Sequence, residues 1–450
     1  MIPYWLYNAV IYHIYPLGLC DAPRQNDFCS PPVPRLECLH AWLDHIHSLN
    51  ANTLYLGPVF ESTAHGYDTA NYYQVDRRLG DNATLKQFTG NLKSRGMRLI
   101  LDGVFNHVGR DFWAFKDVLQ KRQQSAYQDW FYRLNFDGNS PYNDGFSYEG
   151  WAGHYDLVKL NLHHPAVRQH LFDAITMWEH EFDIDGLRLD AADHLDHDFL
   201  RALASHCRQL KPDFWLMGEV VHGDYRKWAN PEMLDATTNY ECYKGLYSSL
   251  VDKNYFEIAY SLNRLFGSEG LYKDLMLYSF ADNHDVNRVA SNLTKTSHLY
   301  PLYILLFTMP GTPSIYYGSE WGIEGSRTNS DDYQLRPALD LGGKNKPHPD
   351  LLKAIRSLAH LRRELPALGC GTYRQLQVNH EQFAFMRETA DQKLVVAVNA
   401  SDHSTTVKVA TLGGYSRLRD ILNQGRITPI KGGQAEISLY PNWGSIYVVE

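Results

Sequence analysis

The chain has 450 residues, enough for one large domain and a smaller one, each with its own core. With 44% hydrophobic and 21% charged residues it has the composition of a folded globular protein, and a net charge of −8 excludes electrostatic attraction to nucleic acid or anionic membranes. No apolar run is long enough to span a bilayer, and the first residues lack the basic and apolar regions of a secretory signal. Six scattered cysteines without a CxxC pair read as free thiols, so a cytoplasmic protein is expected.

Short apolar runs recur along the chain, each followed by a helix-like segment. They are predicted strands at 9–16, 53–60, 98–105, 185–191, 214–220, 234–240, 275–283 and 312–320. Near-continuous apolar strands suit a parallel sheet buried on both faces, with the helices as crossovers. One helix is predicted from Asn82 or Thr84 to Arg95, opened by a polar cap and closed by Gly96. Eight β/α units in order predict an α/β fold, a closed (β/α)8 TIM barrel rather than an open doubly wound sheet. The absence of GxGxxG after the first strand weighs further against dinucleotide binding. The third loop is long and rich in Asp, Asn, Gly, Tyr and Trp, the mark of an insertion that shapes a site on the barrel top. After a last helix at 351–365 the pattern alternates with period two, at 382–387, 394–399 and 445–449, between turns such as Gly413-Gly414 and Gly432-Gly433. The expected division is a barrel at 1–107 and 157–370, an inserted B domain at 108–156 and an all-β sandwich at 371–450.

Unusual polar residues fall at the predicted C-terminal ends of four strands. The third carries Asp102, Asn106 and His107; the fourth, Arg188 and Asp190; the fifth, Glu219; the seventh, Asp282, His284 and Asp285. Barrel enzymes assemble their sites from such strand ends, and four of them together argue against isolated structural ion pairs. Arg188 and Asp190 are two apart and share a strand face, so the guanidinium is expected to lower the Asp190 pKa and keep a nucleophile ionised. Asp190 and Glu219 end sequential strands roughly 4.8 Å apart. That spacing favours a retaining glycosidase, whose carboxyls lie about 5–5.5 Å apart, over an inverting one at roughly 6.5–9.5 Å. Apolar neighbours of Glu219, among them Met217 and Val220, suit a carboxyl kept protonated as the acid.

These stretches resemble the signatures of the α-amylase superfamily of glycoside hydrolases. Asp102–His107, Gly186–His194, Leu216–Val220 and Phe280–Asp285 look like its first four motifs, and Gly57–Phe60, His65–Asp68 and Gly311–Gly318 agree with it in order. The resemblance implies that Asp190 is the nucleophile, Glu219 the acid/base and Asp285 the third carboxylate. It implies that Arg188, His107 and His284 bind near the −1 sugar, that Tyr67 is its stacking platform and that Asp102 supports the site. No cofactor is implied for the chemistry; a structural Ca²⁺ at Asn106 and the backbone of His194 is an open expectation, with Asp137 and Asp144 as available carboxylates. Leu157–Asn161 and Asp235–Tyr240 are most similar to the neopullulanase, cyclomaltodextrinase and maltogenic amylase group. Two departures are an early first strand, where that group carries an N-terminal β domain, and Val221-His222 where it places Trp two residues after the acid.

The expected activity is cleavage of α-1,4 bonds in maltooligosaccharides or starch-type glucans. Alternatives are a glucanotransferase or a sucrose- or trehalose-active relative, and least of all a non-catalytic binding member, which has no need of the full carboxylate set. The expected partner is an α-glucan, with no nucleic acid or membrane; the oligomeric state is open. His40, Asp44 and His47 are explained by the solvated side of an amphipathic helix, and His163-His164-Pro165 by a helix start. Asp332 and Arg336, after the eighth strand, either reach a more distant sugar or are simply solvated loop charges.

Overall fold

The computed structural model describes residues 2–328, 331–410 and 412–450. Its main sheet has eight strands: Ile11–Ile14, Thr53–Leu56, Arg98–Gly103, Gly186–Leu189, Trp215–Gly218, Ala236–Thr237, Tyr278–Phe280 and Thr312–Tyr316. Counted in that order, they lie in space as six, five, four, three, two, one, eight, seven. Their registers are parallel, as the (β/α)8 class requires. The chain divides into two compact units, one of residues 14–44 and 53–237, the other of 3–13, 45–52 and 238–450.

The first unit holds the second to sixth strands. Leu54, Leu56, Leu99, Leu101, Leu187, Leu189 and Leu216 are all fully buried, which is why these runs show no polar alternation. The predicted helix after the second strand is Asn82–Ser94. Asp81 caps it by accepting from the Thr84 backbone while Thr84 answers to the Asp81 backbone, and Gly96 follows at φ +70. His164 caps the helix Pro165–Phe182 through its side chain, with Pro165 in the first turn. Between the third and fourth strands, His107–Gly109, His154–Lys159 and Gly150–Trp151 form a small antiparallel sheet. The sixth strand is far shorter than the predicted 234–240. Asn239 already caps the next helix, Tyr240–Val251, by accepting from the Cys242 backbone at 3.1 Å.

The second unit holds the first, seventh and eighth strands and the C-terminal sheet. That sheet runs Thr372–Val378, Gln382–Glu388, Lys393–Asn399, Trp443–Val449, Arg417–Asp420, Ile427–Pro429, with Thr405–Val409 and Ala435–Leu439 paired separately. Alternation is cleanest where one face meets water: Val407, Val409, Ala435, Ile437 and Leu439 point into the core, and the residues between them are exposed or half-buried. The central strand Lys393–Asn399 is buried from Leu394 onward because it is paired on both edges.

Candidate active site

Six of the predicted site residues meet in the first unit. Register sets Arg188 beside Asp102 on the third strand and Met217 on the fifth. Hydrogen bonds of the ladder continue past the strand ends, from Asp190 N to Gly103 O and from Glu219 N to Leu189 O, so both carboxylates stand on backbone that is still paired. The Arg188 guanidinium donates from Nη1 to Asp102 and to Asp190, each at 2.9 Å, and from Nη2 to Glu219 at 2.7 Å. One cation therefore serves three carboxylates. Its side chain is 4% exposed, against 12% for Asp190 and 17% for Glu219.

Two local devices hold this geometry. Ala191, just after Asp190, adopts a left-handed backbone (φ 45, ψ 44), costly for a residue with a Cβ. The turn it makes aims its N–H at Glu219 Oε2, 3.2 Å away. Gly218 precedes Glu219 because a Cβ there would lie 2.5 Å from Leu234 Cδ1 and 2.8 Å from Ala192 Cβ. Below them, Asp102 Oδ2 accepts from Tyr67 Oη at 2.9 Å and from Tyr55 Oη at 2.8 Å. The Tyr67 ring also lies 5.6 Å from the Arg188 guanidinium carbon.

The electrostatics correct one sequence-based expectation. Burial pushes the Asp190 carboxyl well above the usual carboxylate range, and Glu219 and Asp102 add to the rise against the opposing pull of Arg188. The neighbouring guanidinium is visible in the sequence, whereas the desolvation and the two competing carboxylates arise only from the packing. The cluster thus holds a proton that isolated carboxylates would shed, and it titrates as a unit. His107 goes the other way: burial pushes its imidazole down to about 3, so it is neutral. Its Nδ1 faces Asn106 Nδ2 at 3.2 Å, while its Nε2 has no hydrogen-bond partner and lies 3.7 Å from Asp190 Oδ2. Trp151, from the inserted segment, sets its ring 5.6 Å from the His107 ring.

His284 and Asp285 sit together in the second unit. His284 Nε2 and Asp285 Oδ2 are 2.9 Å apart, and Arg336 Nη2 reaches Asp285 Oδ1 at 3.1 Å. Arg336 also donates from Nε to His284 O at 3.0 Å and pairs with Asp332 at 2.7 Å. Its side chain is 8% exposed, so the reading of Arg336 as a solvated loop charge is wrong; with Asp332 it is tied to Asp285. Asn283 Oδ1 accepts from the Asp285 N–H at 2.8 Å, and buried Asp282 anchors the segment through Ser319 Oγ and Val289 N. The His13 ring, on the first strand, meets His284 edge-on at 5.2 Å.

Sequence reasoning missed Tyr55, Trp151 and the turn at Ala191. A Tyr in an apolar strand looks like core, and an alanine carries no mark of a left-handed conformation. The His40–Asp44–His47 face behaves as read: Asp44 pairs with Arg95, His40 meets Asn91, and both Asp44 and His47 are exposed. For the Ca²⁺ expectation, Asn106 Oδ1 is a buried acceptor with no hydrogen-bond partner, which suits a cation. The carboxylates do not follow. Asp144 gives both oxygens to Arg110 and one also to Ser140, and Asp137 is exposed. Among the described residues no three His, Cys, Asp or Glu side chains gather in a group that could hold a metal ion.

A parallel eight-stranded sheet with carboxylates gathered at its strand ends is the architecture of a barrel hydrolase. The α-amylase catalytic-domain model matches residues 34–348, and the chain belongs to that family of glycoside hydrolases. A cyclomaltodextrinase of Bacillus sp is 30% identical, over 90% of this chain and 75% of that one. Neopullulanase 2 of Thermoactinomyces vulgaris is also 30% identical, over 99% and 78%. Among solved structures, the cyclic α-maltosyl-(1→6)-maltose hydrolase of Arthrobacter globiformis superposes with a TM-score of 0.84 at 27% identity, covering 100% of both chains. The enzyme is thus similar to the cyclomaltodextrinase, neopullulanase and maltogenic amylase group. No helix among the described residues is long and apolar enough to cross a membrane.

Proposed function

We propose that this enzyme hydrolyses α-1,4-glucosidic bonds of maltooligosaccharides and starch-type glucans with retention of configuration. The observation that carries the reading is the Arg188 guanidinium, which holds Asp190 and Glu219 at 2.9 and 2.7 Å from neighbouring, register-aligned strands. In the first step an Asp190 oxygen attacks the anomeric carbon while Glu219 gives its proton to the departing glycosidic oxygen. In the second, Glu219 takes a proton from water, whose oxygen attacks the anomeric carbon and releases the Asp190 carboxylate. The first step needs the cluster's proton on Glu219 and the charge on Asp190, so productive substrate binding selects that arrangement of the shared proton. His107, neutral and with Nε2 unspent, donates to a sugar hydroxyl beside Asp190. Tyr67 serves as the stacking platform, and Asp285 with His284 takes the role of third carboxylate and partner.

Incubation with maltoheptaose, starch, pullulan and γ-cyclodextrin, with products resolved by chromatography and their anomeric form followed by NMR, tests the proposal. Initial α-anomers from maltoheptaose are expected. Initial β-anomers would refute retention, and no new reducing ends from any α-glucan would refute the substrate class. New, longer oligosaccharides would favour transfer over hydrolysis. A second reading, cleavage at α-1,6 bonds, is favoured by the full-length match to the Arthrobacter hydrolase, whose name carries that bond. The pullulan products decide between them.

A further inference from the structure

Two of the six cysteines lie in contact. Cys20 follows the short helix Pro16–Leu19, and Cys38 ends the turn Arg35–Cys38; their Sγ atoms are 3.3 Å apart. Cys20 is buried, whereas Cys38 is exposed. The segment between them is strapped to the rest of its unit. Asn26 donates from its backbone to Thr63 O and from Nδ2 to Ser62 O. Arg78 Nη1 reaches Pro23 O, Arg24 O and Ala64 O. Val33 and Leu36 donate to Arg77 O and Leu79 O. Ser62, Thr63 and Ala64 lead directly into His65, Gly66 and Tyr67, so this loop braces the turn that presents Tyr67 to Asp102.

We propose that Cys20 and Cys38 form a reversible thiol-oxidation site, closed to a disulfide by a low-molecular-weight disulfide such as oxidised glutathione. A disulfide needs its sulfurs about 2.0 Å apart, so closure asks for a movement of little more than one ångström. The exposed Cys38 thiolate attacks one sulfur of the oxidant, releasing one thiolate and leaving a mixed disulfide on Cys38. Cys20 then gives its proton to solvent, attacks Cys38 Sγ and releases the second thiolate. The protein dithiol loses two electrons and two protons, and the oxidant leaves as two thiols. The division of labour has an electrostatic basis: the contact with Cys20 lowers the Cys38 pKa, while Cys20 itself is raised by the contact with Cys38 and by burial. The crosslink closes a loop that the unfolded chain leaves open, so oxidation is expected to raise the melting temperature.

The full chain is incubated with oxidised glutathione, alkylated, digested and mapped by mass spectrometry. A linked Cys20–Cys38 peptide is expected, with two of the six thiols lost in denaturant and a melting temperature raised by a few degrees, about 3–5 °C. Reduction with dithiothreitol should reverse both changes. Cys38→Ser, at an exposed position, should abolish link and shift alike, while Cys29→Ser, exposed in the same loop, should leave both intact. Six free thiols after treatment, a Cys29 crosslink, or a mixed disulfide that stays on Cys38 would each overturn the proposal.

Discussion

The two clusters of predicted site residues balance their charges in different ways. In the first unit Arg188 is shared by Asp102, Asp190 and Glu219, so the carboxylates outnumber the guanidinium and burial drives one of them to hold a proton. In the second unit Asp285 meets both Arg336 and the His284 ring, and Asp332 shares the guanidinium with it. The first arrangement suits groups that exchange a proton and a covalent bond. The second suits a carboxylate that is held still. Substitutions that break one balance and not the other should therefore differ in kind.

The largest effect is expected at Asp190. Asp190→Asn should lower kcat on the order of 10⁵-fold, measured on maltoheptaose, because the nucleophile is gone while its shape remains. The same change should stabilise the fold. A carboxyl raised above its unfolded value of about 3.9 makes the native state bind protons more tightly, so stability falls as pH climbs from that value through the raised one. Asparagine removes this slope. Thermal melts should coincide below about pH 4 and separate in favour of the variant at neutral pH; a variant less stable than wild type at pH 7 would break the comparison.

Next is Arg188→Met, which leaves three carboxylates without their cation. Removing one partner of a buried ion cluster costs about 3–5 kcal/mol, here at pH 7, measured by urea unfolding. The loss should shrink toward pH 4 as the carboxylates take up protons. Arg336→Lys sharpens the contrast. Lysine keeps one charge and cannot reach His284 O, Asp285 and Asp332 together, so a fall in kcat/KM of roughly 10–100-fold is expected with little change in melting temperature. If Arg336→Lys proved as destabilising as Arg188→Met, the second cluster would be a folding element and not a positioning one.

How much of this was legible depends on what a side chain's type reveals. The barrel strands could be read because buried parallel strands show no alternation, and the helix Asn82–Ser94 because its cap residues and Gly96 punctuate it. The sixth strand was overextended because Thr237, Thr238 and Tyr240 favour a strand, and Asn239, a cap, marks where it stops. Asp190 and Glu219 could be found from their positions at strand ends. The upward shift of the Asp190 carboxyl could not, because desolvation depends on everything packed around it. Arg336 was misjudged for the same reason: a charge on a loop looks solvated until the partner fifty-one residues away, Asp285, is in place.

The smallest expected effect separates support from chemistry within the first cluster. Asp102 accepts on one oxygen from both Tyr55 and Tyr67, and on the other from Arg188. Tyr55→Phe removes one donor and leaves the other two, so a loss of about 1 kcal/mol in stability and only a few-fold change in kcat are expected. Tyr67→Phe removes an equivalent hydrogen bond at nearly the same length. If Tyr67 acts only by holding Asp102, the two variants should match; if its ring also carries the sugar, the phenylalanine keeps the stacking face and KM holds, while Tyr67→Ala raises KM well beyond either. Steady-state kinetics on maltoheptaose for these variants and Tyr55→Ala decides it, since a shared support role predicts that Tyr55→Ala and Tyr67→Ala raise KM alike, and a stacking role predicts that only Tyr67→Ala does.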